Sequence, residues 1–459
     1  MKKAIGLAMC CASVISINAQ AELNDWPGLY DIDLVPELNV KIKTSDWNTI
    51  VNDETFDIEV PALLWASQDG DESVANLVSI RRKSATPING KVSFKIDINE
   101  YVDEDPRAEK TWHGVKKLSL ENGDDTDVVS EGLAWYLHRL GVELQDTPNP
   151  VYPAGHLPGL ANWATLTVHL ASDDCRGQCD FAFGETTQVL PQGVYVNVEQ
   201  VDKQFLKNRG RWFDDETWLF KQDDIGEPEL KEAGCNPEYA RSPILDALQC
   251  SPYVITSGKG RNKIEPADCD PVVLESLIDM QVMLGLGAVE AFSSNVDGML
   301  THGKNFFWAD YSLENACMNP PYDIDLRKRM HYPWDLDAAI ASIDRNVYGQ
   351  AKKRRGQTVV TETDYQRVIL RDYGDVYDFR TDYNQKLLTL SGQQAVEMAR
   401  QHLSAVEEVL TPLLIADPNS KVGADPAAHF EGLRGWLGDR ASIVHSQVCD
   451  DDPSLAGCR

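Results

Sequence analysis

The stretch Ser294-Asn295-Val296-Asp297-Gly298-Met299-Leu300-Thr301-His302-Gly303-Lys304-Asn305-Phe306-Phe307-Trp308, answered by Tyr332-Pro333-Trp334-Asp335-Leu336-Asp337, decides how this chain is read. Its polar residues are of the kinds that phosphoryl transfer requires. One carboxylate must orient an attacking hydroxyl, and further oxygen ligands must hold the magnesium that neutralises the phosphates. Asp297 suits the first task; Asn305, Asp335 and Asp337 suit the second. Magnesium takes few protein carboxylates and keeps several waters, so one or two aspartates and an amide oxygen suffice. In a chain with 72 acidic residues such a grouping is ordinarily a solvated loop, so the surrounding sequence has to carry the decision.

Immediately upstream, Pro271 to Phe292 is apolar with helical period and runs straight into the Asp297 loop. A buried helix feeding a rigid loop is a way to hold a catalytic constellation still. Further back the pattern is extended. Val40 and Ile42 alternate with Asn39, Lys41 and Lys43, and Asn76 to Arg82 and Val92 to Ile98 predict a hairpin turning at Pro87 to Gly90. In its second arm Val92, Phe94, Ile96 and Ile98 share one face, and Lys91, Ser93, Lys95 and Asp97 the other. A helix is predicted from Asp127 to Leu140, capped by Asp127 and ended by Gly141, with Glu131 near its positive end. Residues 145–163 read as loop. Strands resume at Ala164 to Leu170, Gly193 to Glu199 and Trp218 to Lys221, and residues 227–266 read as a disulfide-tied insertion. Beyond Asp337 the chain turns helical over Tyr383 to Leu390, Gln393 to Leu414 and Ala427 to Gln447, broken by Pro412 and by the loop from Asp417 to Pro426.

Composition bounds the setting. The 459 residues, 42% of them hydrophobic, are ample for a buried core. A net charge of −29 argues against nucleic acid as a partner, because a binder of phosphate backbones needs a positive face. Lys2 and Lys3, an apolar run from Ala4 to Ile17 and then Ala19-Gln20-Ala21 read as a secretory signal peptide, residues 1–21, cleaved after Ala21. No other apolar run reaches the roughly 18 residues that cross a bilayer, so the mature chain is expected to be periplasmic or secreted. Cys10 and Cys11 fall in that leader, leaving an even set that favours disulfides; Cys175–Cys179 and Cys449–Cys458 are the expected pairs.

Taken in order, these segments resemble the spore coat protein H-like (CotH) family of atypical secreted kinases. The resemblance is carried by Ser79-Ile80-Arg81-Arg82, Lys91-Val92-Ser93-Phe94-Lys95-Ile96, Gly114 to Asn122, Ser130-Glu131-Gly132-Leu133-Ala134-Trp135 and Gly193 to Asp202. Asn295-x-Asp297, Lys304-Asn305-Phe306-Phe307 and Pro333-Trp334-Asp335-Leu336-Asp337 complete it. It implies an α+β, kinase-like, two-lobed fold: a β-rich N-terminal lobe over residues 22–205 with one principal helix, and a mainly helical C-terminal lobe over residues 206–459. It also implies ATP with Mg2+ (or Mn2+), and transfer of the γ-phosphate to Ser or Thr of an exported protein. Carried over by position, Asp297 is the catalytic aspartate and Asp335 the metal aspartate, with Asp337 and Asn305 as further ligands. Lys95 or Lys91, which share a strand face, holds the nucleotide with Glu131 as partner, and Glu199 is a further candidate contact.

Departures from ordinary protein kinases accompany the resemblance. There is no G-x-G-x-x-G, and His302, a poor ligand for magnesium, stands five residues after Asp297 where ordinary kinases have a metal-binding Asn. Between Ala309 and Met330 lies a polar stretch whose Asp323 and Asp325 form a second acidic pair; Asp335 is preferred because it follows Trp334. Two other functions use the same residues: a catalytically silent kinase-like binding or scaffold module, and a nucleotidyl transferase that places ATP the other way round in the pocket.

Overall fold

The structure is a computed structural model; it describes residues 24–67, 75–145, 157–173, 181–212, 217–223, 228–234, 271–312, 327–354, 357–361, 363–370 and 378–458. Outside them lie the expected signal peptide, Cys175–Cys179, most of the 227–266 segment and the acidic pair Asp323 and Asp325.

Apolar alternation closes the first half of the chain into a barrel. Its strands are β1 (Glu37–Lys43), β2 (Val60–Ala66), β3 (Asn76–Arg82), β4 (Phe94–Asp97), β5 (Lys117–Glu121), β6 (Ala161–Ala171) and β7 (Thr186–Glu199), ordered β1-β2-β3-β4-β5-β7-β6. All neighbours are antiparallel except β1 and β6, whose parallel pairing closes the ring. Every second residue points inward. Val40, Ile80, Phe94, Ile96, Leu118, Leu166 and Tyr195 fill the interior, capped at one side by Trp47 of α1 (Thr44–Val51). The expected β3–β4 hairpin is present, and Val92, Phe94, Ile96 and Ile98 are all buried.

A second core lies outside the barrel. There α2 (Val128–Gln145) packs against β6 and β7 and against the helices α5 (Met280–Phe292), α7 (Phe379–Ser391) and α8 (Gln393–Ala416). The helix α9 (Pro426–Asp451) packs on α7 and α8. A separate antiparallel sheet orders β11 (Arg327–Pro333), β10 (Phe306–Ser312), β8 (Thr217–Gln222) and β9 (Glu229–Glu232). Short helices α3 (Lys203–Asn208), α4 (Pro271–Leu277) and α6 (Asp364–Leu370) and the hairpin of β12 (Gln350–Arg354) and β13 (Gln357–Thr361) complete the described elements. The fold is mixed α+β.

Three boundaries differ from expectation, each for a packing reason. Gly141 does not end α2, which runs on to Gln145. It is needed for contact, because a Cβ there would sit 2.4 Å from Val289 Cγ2 on α5. The apolar run after Pro271 is two helices. The break falls at Ile278 and Asp279, where Asp279 donates its N–H to Arg329 O on β11 (2.9 Å) and its Oδ1 caps Val282 N–H (3.3 Å). Pro412 sits inside α8, which continues to Ala416 because Val406, Leu410 and Leu414 are buried along one face. Among the described cysteines, Cys449 and Cys458 are joined, tying the end of α9 to the residues after it.

Candidate active site

The two loops around Asp297 and Asp335 are held by the chain itself. At the end of α5, Glu290 is buried and its oxygens accept the N–H groups of Met299 (3.0 Å) and Leu300 (2.9 Å). Burial raises the Glu290 pKa to about 7, against the lowering effect of those bonds. Asn295 Oδ1 accepts Asp297 N–H (3.0 Å), and Thr301 Oγ1 donates to Asn295 O (2.8 Å). Asn305 joins the loops, its N–H donating to Gln222 O (2.6 Å) and its O accepting Trp334 N–H (3.2 Å). Ser294, Asn305 and Asp335 all take left-handed φ values, 59°, 59° and 57°. Such strain in non-glycine residues persists only where the surroundings over-determine it, and it gathers at functional sites.

Asp297 lies in a cluster of polar partners. Its Oδ2 is 2.8 Å from Lys304 Nζ and accepts Asn305 Nδ2 (3.3 Å), while Oδ1 is 3.1 Å from His302 Nδ1. Thus Asn305 serves Asp297 here, and His302 stands beside it as well.

The 332–337 segment brings a second group together. Asp127 caps α2 through Val129 N–H (2.8 Å) and Ser130 N–H (2.9 Å), which fixes Glu131 in the first turn. Glu131 is buried, and its Oε2 has no hydrogen-bond partner among the described residues. Burial first, then Glu121, Asp337 and Asp335, push its pKa well up. Burial likewise raises Asp335, with Lys83 and Lys221 opposing, and raises Asp337, with Asp335 and Asp124 adding to it. Thr126 Oγ1 donates to Asp337 O (2.8 Å) and so draws the 124–126 turn in. As a result one carboxylate oxygen each from Asp124, Asp125 and Asp337 lies within 4.8 Å of the others. That many acids around the buried Glu131, against two lysines, fit a divalent cation. Asp125 also feels the charge of Asp297 and Lys304, so the two loops face a shared region.

The lysine in this group is Lys83, immediately after β3. Its Nζ contacts the Glu121 carboxylate, donates to Ser119 Oγ (2.9 Å) and sits 5.2 Å over the Trp334 ring. Burial works against its charge, but Glu121, Asp335 and Glu131 more than offset this and raise its pKa. From β8, Lys221 also approaches the Trp334 ring (5.6 Å) and pairs with Asp223 (2.6 Å).

The expected nucleotide lysines lie elsewhere. Lys95 stands opposite Arg81 in the β3–β4 register, among Lys117, Arg81, Asp97 and Glu59, and burial and the like charges lower its pKa to about 8. Lys91 is buried against Asp417 (3.2 Å) and Val194 O. Glu199 is equally committed, accepting Arg209 Nη2 (2.6 Å), Trp26 Nε1 (2.7 Å) and Leu160 N–H (3.1 Å). Of the residues singled out in the sequence, the fold therefore gathers Glu131, Asp335 and Asp337, with Asp297 and Asn305 close by. Lys95, Lys91 and Glu199 are not among them. Lys83 was reachable from the hairpin pattern, one residue past the Ser79 to Arg82 segment, but its choice over Lys95 needs the register.

A family profile described as CotH kinase protein matches residues 84–444, most of the chain. The chain belongs to the CotH kinase family. It is therefore a kinase-like protein. The match contains Glu121, Glu131, Asp297, Asp335 and Asp337 and begins one residue after Lys83, so in this CotH chain Lys83 is picked out by geometry alone. No match to the chain is found among curated proteins.

Proposed function

We propose that this chain is an ATP-dependent kinase that transfers the γ-phosphate to Ser or Thr of an exported protein. The barrel with α2 acts as the nucleotide lobe, near residues 22–205, and the remainder as the helical lobe. The observation that carries the reading is Lys83, placed against Glu121 and attracted by Asp335 and Glu131, with Asp297 facing the same acidic region. A lysine so placed is a point charge for nucleotide phosphates, and the acids around it supply metal ligands.

In this reading Asp335 and Asp337, with Asp124 and Asp125, would hold the divalent metal, which when bound would neutralise the phosphate charge. Asp297 accepts the hydrogen bond of the acceptor hydroxyl and orients it, and Lys304, 2.8 Å away, brings positive charge to the point of transfer. Asn305 holds the Asp297 carboxylate in place. Support for action outside the cytoplasm comes from the Cys449–Cys458 disulfide. Among the described residues no helix is long and apolar enough to cross a membrane.

The test is incorporation from γ-labelled and α-labelled ATP into a general protein acceptor, with Mg2+, with Mn2+ and with chelator. Label is expected from the γ position only, lost with chelator and lost in Asp335→Ala. Full activity in that variant would remove Asp335 from the site. Label from the α position would replace the kinase by a nucleotidyl transferase, and no label without nucleotide binding would leave a silent module.

A further inference from the structure

A cavity of about 160 Å³ lies on the flank of the Asp297 loop, lined by Thr301, His302, Arg345, Asn346, Val347 and Gln366 among others. A single water needs only about 15 Å³ of such space, so the cavity has room for a side-chain group. It opens to solvent where Asn346 is exposed and where the His302 side chain, 37% exposed, stands 3.1 Å from Asp297.

Its chemistry is set by Arg345. That residue is only 8% exposed, yet among the described residues its guanidinium makes no hydrogen bond or ion pair. The acid that acts on it, Glu290, has both oxygens engaged by Met299 and Leu300 N–H. A guanidinium carries five donors in a planar fork, and those of Arg345, none of them sealed from solvent, are left for a group that enters the cavity. Gln366 adds to the same wall: its Oε1 is taken by Thr363 N–H (3.2 Å), which fixes its amide beside Gly349. A planar carboxylate is the group that such a fork matches.

We propose that this cavity is an acceptor subsite that receives one carboxylate, a Glu or Asp side chain near the Ser or Thr to be modified. The proposal rests on the kinase reading for its place in a reaction, since the cavity shares His302 and Thr301 with the Asp297 loop. It is a site for one carboxylate and not for an acidic tract, because a chain of net charge −29 repels a highly acidic partner at long range.

The experiment measures binding, so that it does not depend on turnover. A set of fluorescent Ser peptides, in which one Glu or one Gln is walked along either side of the Ser, is titrated by anisotropy with the full chain. At one or two positions the wild type is expected to bind the Glu peptide roughly tenfold tighter than its Gln counterpart, the size of one charge-assisted contact. Arg345→Gln should erase that difference and Arg345→Lys should restore part of it, with melting curves confirming that both variants fold. No Glu preference at any position, or a preference that survives in Arg345→Gln, overturns the subsite. So does a lowered melting temperature in Arg345→Gln with the peptide preference unchanged, which would make Arg345 only the countercharge of Glu290. Failure of the kinase reading shows separately, as absence of γ-label with the Glu preference intact.

Discussion

At the scale of single residues, the site turns on which lysine faces the acids. Lys83 follows β3 directly and Lys95 lies on the neighbouring β4, but only Lys83 has Glu121, Asp335 and Glu131 acting on it. Lys83→Met is expected to cut γ-phosphate transfer by about 100-fold or more, the scale of one preorganised charge at a reacting group. Lys95→Met should stay within a few-fold of wild type. Label-transfer rates for the two variants check this, and the reverse order would return the role to Lys95. The acids themselves were readable: Asp297, Asp335 and Asp337 sit in short loop segments whose residue types match their chemistry. The lysine was not, because alternation assigns a residue to a face while the cross-strand register assigns it a neighbour.

At the scale of elements, contacts between helices overrule local rules. Gly141 looks like a helix end, yet it lies inside α2 where α5 comes close. Gly141→Ala would ordinarily help a helix by about 1 kcal/mol. Here the new methyl meets Val289 in the core, so a net loss of roughly 1–3 kcal/mol is expected from denaturant unfolding. A second tie joins α9 to the start of α2, where His429 Nε2 lies 3.2 Å from Asp127 Oδ1. Its bond to Asp127 raises the His429 pKa above 6.5, so this contribution is complete below about pH 6.5 and is lost as pH rises through the folded value. Burial opposes the Asp127 charge, but His429 and Ser130 hold its pKa below 3.8, so its contribution is complete above about pH 4 and is lost as pH falls further. The pair therefore stabilises most between about pH 4 and 6.5. Unfolding free energies of wild type and His429→Gln should converge between pH 6 and 9. A constant gap would remove the pair as the cause.

At the scale of the whole molecule, the barrel and the helical core are joined by a buried ion pair. Lys91, just before β4, meets Asp417 at the end of α8, and Asp417 Oδ2 also accepts Val194 N–H from β7 (2.9 Å). Gly193 is required beside it, since a Cβ there would fall 2.1 Å from the Asp417 carboxylate. Lys91→Met leaves that carboxylate buried without its cation and is expected to cost about 3–5 kcal/mol, read by denaturant unfolding, with Lys91→Met/Asp417→Asn costing less. The sequence by itself determined the mixed α+β class, the strand alternation, the capped helix bearing Glu131, the disulfide that ends α9 and the loops that hold Asp297 and Asp335. Each of these is written in a local period, a cap or a short spacing. Only the tertiary structure decided that Lys83 meets the acids, that Lys91 and Glu199 serve the scaffold, and that Asp124 and Asp125 join Asp337. Those outcomes depend on strand register and on contacts between residues as much as 326 positions apart, as Lys91 and Asp417 are, and no local pattern specifies them.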